Sequence, residues 1–148
     1  MYGVLLFLHN ITRWIVVLAA IWALVQMYRG WFGQTPWTDG DSQASRTFTI
    51  SLDVQFLIGI VLYIVSPLTQ TAMQDFGAAM RDSDVRFFAV EHVLMMLIAV
   101  VVAHVGSAMA KRAADAVKQH RNAAIWYTIS LVIILASIPW WRPLLRGF

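Results

Sequence analysis

The chain has 148 residues, of which 59% are hydrophobic and 13% are charged, and its formal net charge is +3. Soluble domains carry about 25% charged residues, so this composition excludes a soluble enzyme, a disordered chain and a coiled coil. The absence of cysteine excludes disulfides, iron–sulfur clusters, thiolate zinc sites and c-type haem attachment. Lipid is the solvent that this composition favours.

Four apolar segments predict a single all-α domain, a bundle of four transmembrane helices. The predicted spans cover approximately residues 2–28, 47–67, 86–110 and 123–141. Each has about the 17–25 residues that a membrane-crossing helix needs. Of the three connectors, the second, LTQTAMQDFGAAMRDSD, is expected to contain an amphipathic surface turn. The third, KRAADAVKQHRN, is expected to extend the third helix into water.

The basic residues predict the orientation of the chain. Six lie in the first and third connectors (Arg29, Arg46, Lys111, Arg112, Lys118 and Arg121) and four on the other side (Arg81, Arg86, Arg142 and Arg146). The positive-inside rule therefore places these two connectors in the cytoplasm. Both termini are then outside, in the periplasm if the membrane is a bacterial inner membrane. Because the basic residues lie in short loops, nucleic-acid binding is not expected.

Ionisable side chains inside the spans are costly in lipid and mark candidate functional positions. They are His9 and Arg13 in the first span, Asp53 in the second, and Glu91, His92 and His104 in the third.

Two of these histidines are predicted to lie at the same depth. His9 follows Tyr2 by seven residues and His92 follows Arg86 by six, which puts both imidazoles roughly 10 Å below the outer boundary. This is the arrangement of a b-type haem with two axial histidines, one from each of two helices. The alternative is a pair of histidines that only form hydrogen bonds between helices.

Three arginines lie near this outer layer. Arg86, at the outer boundary, is a candidate partner for haem propionates, and Arg142 lies on the same side. Arg13 is one turn deeper than His9 on the same helix face, where it could offset a propionate. The alternative for Arg13 is a structural ion pair with Glu91.

A second polar layer is expected nearer the cytoplasm. His104 lies about 18 Å along the helix from His92, too far to bind the same iron. Its depth matches that of Asp53, so a contact between the two is expected, either as a structural hydrogen bond or as part of a proton or quinone site. Gln55 is two residues from Asp53 and points about 160° away, so both cannot face the bundle.

Three segments carry a family likeness: LFLHNITRWIVVLAAI, LDVQFLIGIVLYIVSP and RFFAVEHVLMMLIAVVVAHVGSAMAKR. They resemble the small four-helix cytochrome b-like membrane proteins of bacteria. The sharpest elements are H-x-x-x-R, with His9 and Arg13, and A-V-E-H, from Ala89 to His92. The resemblance implies a haem b held by histidines of the first and third spans. It does not imply a reaction.

The sequence thus predicts a membrane b-type cytochrome that carries electrons between a quinol and a redox partner. Lipid, a quinone and other subunits of a membrane complex are the expected partners. The alternative is a cofactor-free accessory subunit of a respiratory or photosynthetic complex. A small transporter would use Arg13, Glu91 and Asp53, but no inverted repeat or broken helix favours it.

Overall fold

The computed structural model describes residues 1–142, and these residues form helices and no strand. The elements are α1 (Tyr2–Gly33), α2 (Asp39–Val65), α3 (Pro67–Gln74), α4 (Phe76–Ala79), α5 (Ser83–Arg86), a π-helical turn (Phe87–Glu91), α6 (His92–Lys111) and α7 (Ala116–Ser137). From α5 to the end of α6 the helix is continuous, over Ser83–Lys111.

The first connector is much shorter than its composition suggests. Gln34 ends α1 with a left-handed conformation, φ 51°. A capping box then begins α2, because the Thr38 hydroxyl accepts from the backbone N–H of Asp41 and the Asp41 carboxylate accepts from the backbone N–H of Thr38. Reciprocal caps of this kind fix a helix start. Only residues 34–38 therefore separate two long helices.

The second connector contains short helices, whereas the third separates two long helices. Pro67 begins the short surface helix α3, since proline is favoured at the first helical position. The expectation that the third connector extends the third helix is wrong. That helix ends at Lys111, and Asp115 caps α7 by accepting from the backbone N–H of Lys118. The polar residues 118–122 thus belong to the fourth helix.

The four long helices pack around an alanine-rich interior. α1 packs against α2 and α7, and α6 packs against α7 and α2. The fully buried positions include Ala20, Ala23, Ala44, Ala99, Ala103, Ala123 and Ala124. Close approach of α6 and α7 depends on Gly106, because a Cβ there would lie 2.5 Å from Trp126 Cβ. Small residues allow helices to associate closely in lipid.

The surface of the bundle is apolar and its interior is partly polar. Leu18, Leu57 and Val132 are 66%, 63% and 59% exposed, whereas Arg13 and Gln55 are only 8% and 4% exposed. Three helices of the described chain, Tyr2–Gly33, Asp39–Val65 and Ser83–Lys111, are long and apolar enough to cross a membrane. The protein is therefore compatible with an integral membrane protein. Helix α7 is not among the three.

Candidate functional site

A cavity of about 420 Å³ lies between the helices at the end of the bundle that holds both His9 and His92. Its wall is mainly apolar, with side chains such as Leu6, Phe56, Ile60, Phe88, Met96 and Ile134. Cofactor cavities have volumes of about 300–1,000 Å³ and a few convergent polar groups. The cavity fits that description.

His9 and His92 are two of the polar residues of this cavity. His9 comes from α1 and His92 is the first residue of α6 after the π-helical turn, and both line the cavity. Their ring centroids are 6.2 Å apart and their planes make an angle of 76°. The structure therefore brings together the two histidines that the sequence places at matched depth.

The carboxyl end of α7 orients His92. Nδ1 of His92 lies 2.8 Å from the carbonyl oxygen of Ser137, the last residue of that helix. The last carbonyl groups of a helix have no partner within it. Because a carbonyl oxygen only accepts, Nδ1 carries the proton and Nε2 keeps its lone pair. A hydrogen bond of this type is the usual second contact of a metal-binding histidine.

Helix α2 forms a hydrogen bond with the backbone of His9 and not with its ring. Its Nδ1 is buried and forms no hydrogen bond with any described residue. Gln55 Nε2 donates to the His9 carbonyl oxygen at 2.9 Å, and Gln55 Oε1 accepts from the Thr12 hydroxyl. Gly59 lies against the ring, since a Cβ there would be 3.2 Å from His9 Cε1. The imidazole thus fills a place that glycine leaves open.

The π-helical turn directly before His92 changes the direction of that side chain relative to a regular helix. The turn spans Phe87–Glu91. The Tyr63 hydroxyl donates to the carbonyl oxygen of Ala89 at 2.8 Å, so α2 supplies a partner inside the irregular segment. Single π turns occur mostly inside α-helices and often at functional sites.

The arginines are distributed differently from the sequence-based expectation. Arg13 is buried and lines the cavity, with its guanidinium 5.4 Å from the Trp14 ring. Arg86 is not among the described residues that line the cavity, and its Nε donates to Glu91 Oε1 at 2.7 Å. Arg142 does line it, lies over the Phe88 ring at 4.4 Å and pairs with Asp84 at 3.1 Å.

The inner polar layer is confirmed as a contact between two helices. His104 Nε2 lies 2.8 Å from Asp53 Oδ1, and the two side chains are 49% and 39% exposed. Gln55 faces the interior while Asp53 faces outward, as the helical periodicity predicts. Gln55 therefore belongs to the layer of His9 and not to this one.

The sequence gives no indication of the role of His120. Its side chain is fully buried, with Nε2 3.4 Å from Asp41 Oδ2 and the ring centroid 4.8 Å from that of Trp37, the two planes being tilted by 43°. It packs directly on Gly30, where a Cβ would lie 2.2 Å from the imidazole. The glycine and the capping carboxylate are both visible in the sequence, but only the folded chain shows that one histidine contacts both.

Within residues 1–142, no group of three or more His, Asp or Glu side chains is placed to hold a metal ion. The cavity thus offers two imidazoles and no additional protein ligand to complete a zinc-type site. Comparison of the chain with protein-family models, with curated proteins and with solved structures gives no match.

Proposed function

We propose that this protein is a membrane b-type cytochrome that holds one haem b between α1 and α6, with His9 and His92 as axial ligands. One observation carries the proposal: two imidazoles from different helices meet in an apolar cavity with their centroids 6.2 Å apart. Metal–imidazole bonds are about 2 Å long and each centroid lies about 1 Å beyond the nitrogen, so imidazoles on opposite faces of one iron have centroids roughly 6 Å apart.

The chemistry of the two rings supports this use. A haem supplies four nitrogen ligands of its own and requires only one or two side chains, which agrees with a site of two histidines. His92 has its Nε2 lone pair available because Nδ1 is engaged by Ser137. His9 has a buried ring nitrogen with no hydrogen-bond partner in residues 1–142. When bound, the haem would supply one-electron redox chemistry.

The cations around the cavity would balance the propionates. Arg13 and Arg142 line it, and guanidinium groups bind carboxylates with paired hydrogen bonds. Arg86, which the sequence favours for this role, does not line the cavity among the described residues, whereas Arg142 lines it although it also pairs with Asp84, so we assign the role to Arg142. Arg86 would then affect the site only indirectly, through its ion pair with Glu91 across the π-helical turn that precedes His92.

The proposal includes four spans, with α7 crossing the membrane beside α6. It also includes a bacterial inner membrane, both termini in the periplasm, a quinol as electron donor and other subunits as partners. The uneven distribution of basic residues supports this orientation. The packing of α7 along α1 and α6 supports a fourth span.

The absorption spectrum of the protein purified from a haem-replete host tests the proposal. We expect a Soret band and reduced-state α and β bands that disappear in His9→Ala and in His92→Ala. His104→Ala is the matched control, because it removes a histidine from the same bundle outside the cavity, and its spectrum should be unchanged. A colourless protein, or bands that survive both cavity substitutions, would refute the proposal and favour the accessory-subunit alternative.

A further inference from the structure

A second cavity, of about 160 Å³, lies at the opposite end of the bundle. Its wall comes from the first turns of α2, the last turns of α6 and one residue of α7, together with Trp37 of the connector between α1 and α2. Nothing in the proposed haem site uses this cavity. It is also the end of the bundle that carries most of the basic residues.

Two cations without acidic partners line this cavity. Arg46 and Lys111 both contribute to its wall, and neither forms a salt bridge within residues 1–142. Arg29, Arg81, Arg112 and Arg121 also form no salt bridge with a described residue. Arg46 and Lys111 are distinguished from them because both line one small cavity.

The rest of the wall is uncharged and includes several polar side chains. Besides the two cations, it includes the side chains of Ser42, Thr49, Ser107 and Gln119, and no Asp or Glu. Asp41, in the first turn of α2, accepts hydrogen bonds from Thr38 and contacts His120. The cavity thus has a net positive charge with hydrogen-bonding groups around it, which is the chemistry that binds a phosphate group.

The position of the cavity favours a lipid as the molecule that carries the phosphate group. Lys111 is the last residue of α6, and Arg46 lies at the end of the apolar stretch of α2. On the helix face of Arg46, Ile50 and Leu57 of α2 are 54% and 63% exposed, whereas the Asp53–His104 pair lies two turns from the two cations between α2 and α6. A ligand bound here would have its anionic group beside the two cations and its apolar part along the exposed apolar side chains of α2. Basic pockets between spans commonly bind lipid headgroups in this way.

We propose that this cavity binds the phosphodiester group of an anionic phospholipid, with Arg46 and Lys111 as the charged contacts. The inference does not depend on the haem. The source could in principle be free phosphate, which shares the same chemistry but lacks the acyl chains. Ile50 and Leu57, the exposed apolar side chains of α2 on the face of Arg46, favour the lipid.

The test measures binding of phosphatidylglycerol, phosphatidylcholine and inorganic phosphate to the full chain in a neutral detergent, by native mass spectrometry and thermal shift. We expect retention of phosphatidylglycerol over phosphatidylcholine. The double variant Arg46→Gln with Lys111→Gln should weaken it about 25-fold, since each basic residue beside an anionic surface contributes about fivefold. The matched control, Arg112→Gln with Arg121→Gln, removes two exposed cations from the same end outside the cavity and should leave binding within about twofold.

Each other outcome decides against the proposal. Equal retention of the two lipids, or unchanged binding by the cavity variant, would show that the cavity does not select an anionic headgroup. Stabilisation by inorganic phosphate without selection of phosphatidylglycerol would assign the site to a free anion. Thermal stability in phosphatidylcholine alone should match the wild type for both double variants, because all four side chains are exposed, and this checks that folding is intact.

Discussion

His92 donates a hydrogen bond from Nδ1 to the carbonyl oxygen of Ser137, 2.8 Å away, at the point where α7 ends. The contact connects the candidate haem site to the fourth helix, which contributes no histidine to it. It fixes both the tautomer and the plane of the imidazole. On the other wall, α2 reaches the backbone of His9 through Gln55. All four long helices therefore contribute to the position of two rings.

Gly59→Ala tests whether the space beside His9 is needed for the cofactor. The added Cβ would lie 3.2 Å from His9 Cε1, so the ring must shift by a few tenths of an ångström. Alanine also gains about 1 kcal/mol of helix propensity over glycine, which offsets the crowding in the folded protein. We expect nearly unchanged thermal stability but a reduced haem content, measured from the Soret absorbance per mole of protein.

The matched control for that substitution is Gly3→Ala. Gly3 lies in α1, and an added Cβ there has nothing within 4 Å. Haem content should be unchanged in this variant. Equal haem content in Gly59→Ala and Gly3→Ala would show that the ring of His9 tolerates displacement and would weaken its assignment as a ligand.

Gln55→Leu tests the support of His9 by α2. The side chain is 4% exposed and contacts both the His9 carbonyl oxygen and the Thr12 hydroxyl. Its loss removes two hydrogen bonds, each of which contributes about 0.5–1.5 kcal/mol. We expect a lower midpoint of thermal unfolding and a broader haem spectrum, whereas Gln74→Leu, at an exposed position, should change neither. A Gln55→Leu protein as stable as the wild type would argue against this contact.

The sequence predicts the spans and the outer histidine pair because both depend on regular helix geometry. Hydropathy identifies the apolar segments, and the rise per residue places His9 and His92 at one depth. The partner of Arg86 could not be found in that way. Residues five apart lie about 140° apart on an α-helix, so Arg86 and Glu91 meet only because a π-helical turn lies between them. No periodic pattern marks that turn.

Tertiary contacts explain the remaining differences. A sequence-based interpretation leaves His120 in a polar connector, because Lys118, Arg121 and Asn122 surround it. In the folded chain, the cap at Asp115 starts α7 earlier and turns His120 towards Gly30 and Asp41. Whether a polar residue within a charged segment is buried depends on the residues that other helices place around it. Those residues are far from it in the sequence.

Gly30→Ala tests the packing of α1 on His120. The new Cβ would lie 2.2 Å from the imidazole, and the ring is fully buried and cannot move freely. Overpacking of this kind costs about 1–3 kcal/mol, so we expect a lower unfolding midpoint in detergent. Gly33→Ala in the same helix is the control, because its Cβ would make only an ordinary contact at 3.4 Å with Thr35.

A double variant distinguishes the steric clash with His120 from a general effect of alanine at position 30 of helix α1. Combining Gly30→Ala with His120→Ala removes the ring that the new methyl group would meet. The effect of Gly30→Ala should therefore be smaller in the His120→Ala background than in the wild type. If Gly30→Ala lowered the unfolding midpoint equally in both backgrounds, that result would contradict the contact between Gly30 and His120.

Asp115 predicts a pH dependence for the start of α7. The hydrogen bond from the Lys118 backbone N–H, together with the Lys118 ammonium, lowers the pKa of the Asp115 carboxyl below its ordinary value. A carboxyl whose pKa is lower in the folded state stabilises that state above its unfolded pKa, which is about 3.9. This stabilisation is lost as the pH falls through the folded pKa. The wild type should thus lose thermal stability below about pH 4 more steeply than Asp115→Asn does.

Asparagine is the informative replacement because its side-chain oxygen still accepts from the backbone N–H of Lys118, whereas it carries no charge and does not titrate. Asp115→Ala removes both the cap and the charge, so it should be the least stable of the three proteins at pH 7. As the pH falls below the folded pKa, the wild-type midpoint should approach that of Asp115→Asn. Parallel acid profiles for these two proteins would show that the Asp115 carboxylate contributes no charge-dependent stability. The cap on α7 would then rest on its hydrogen bond alone.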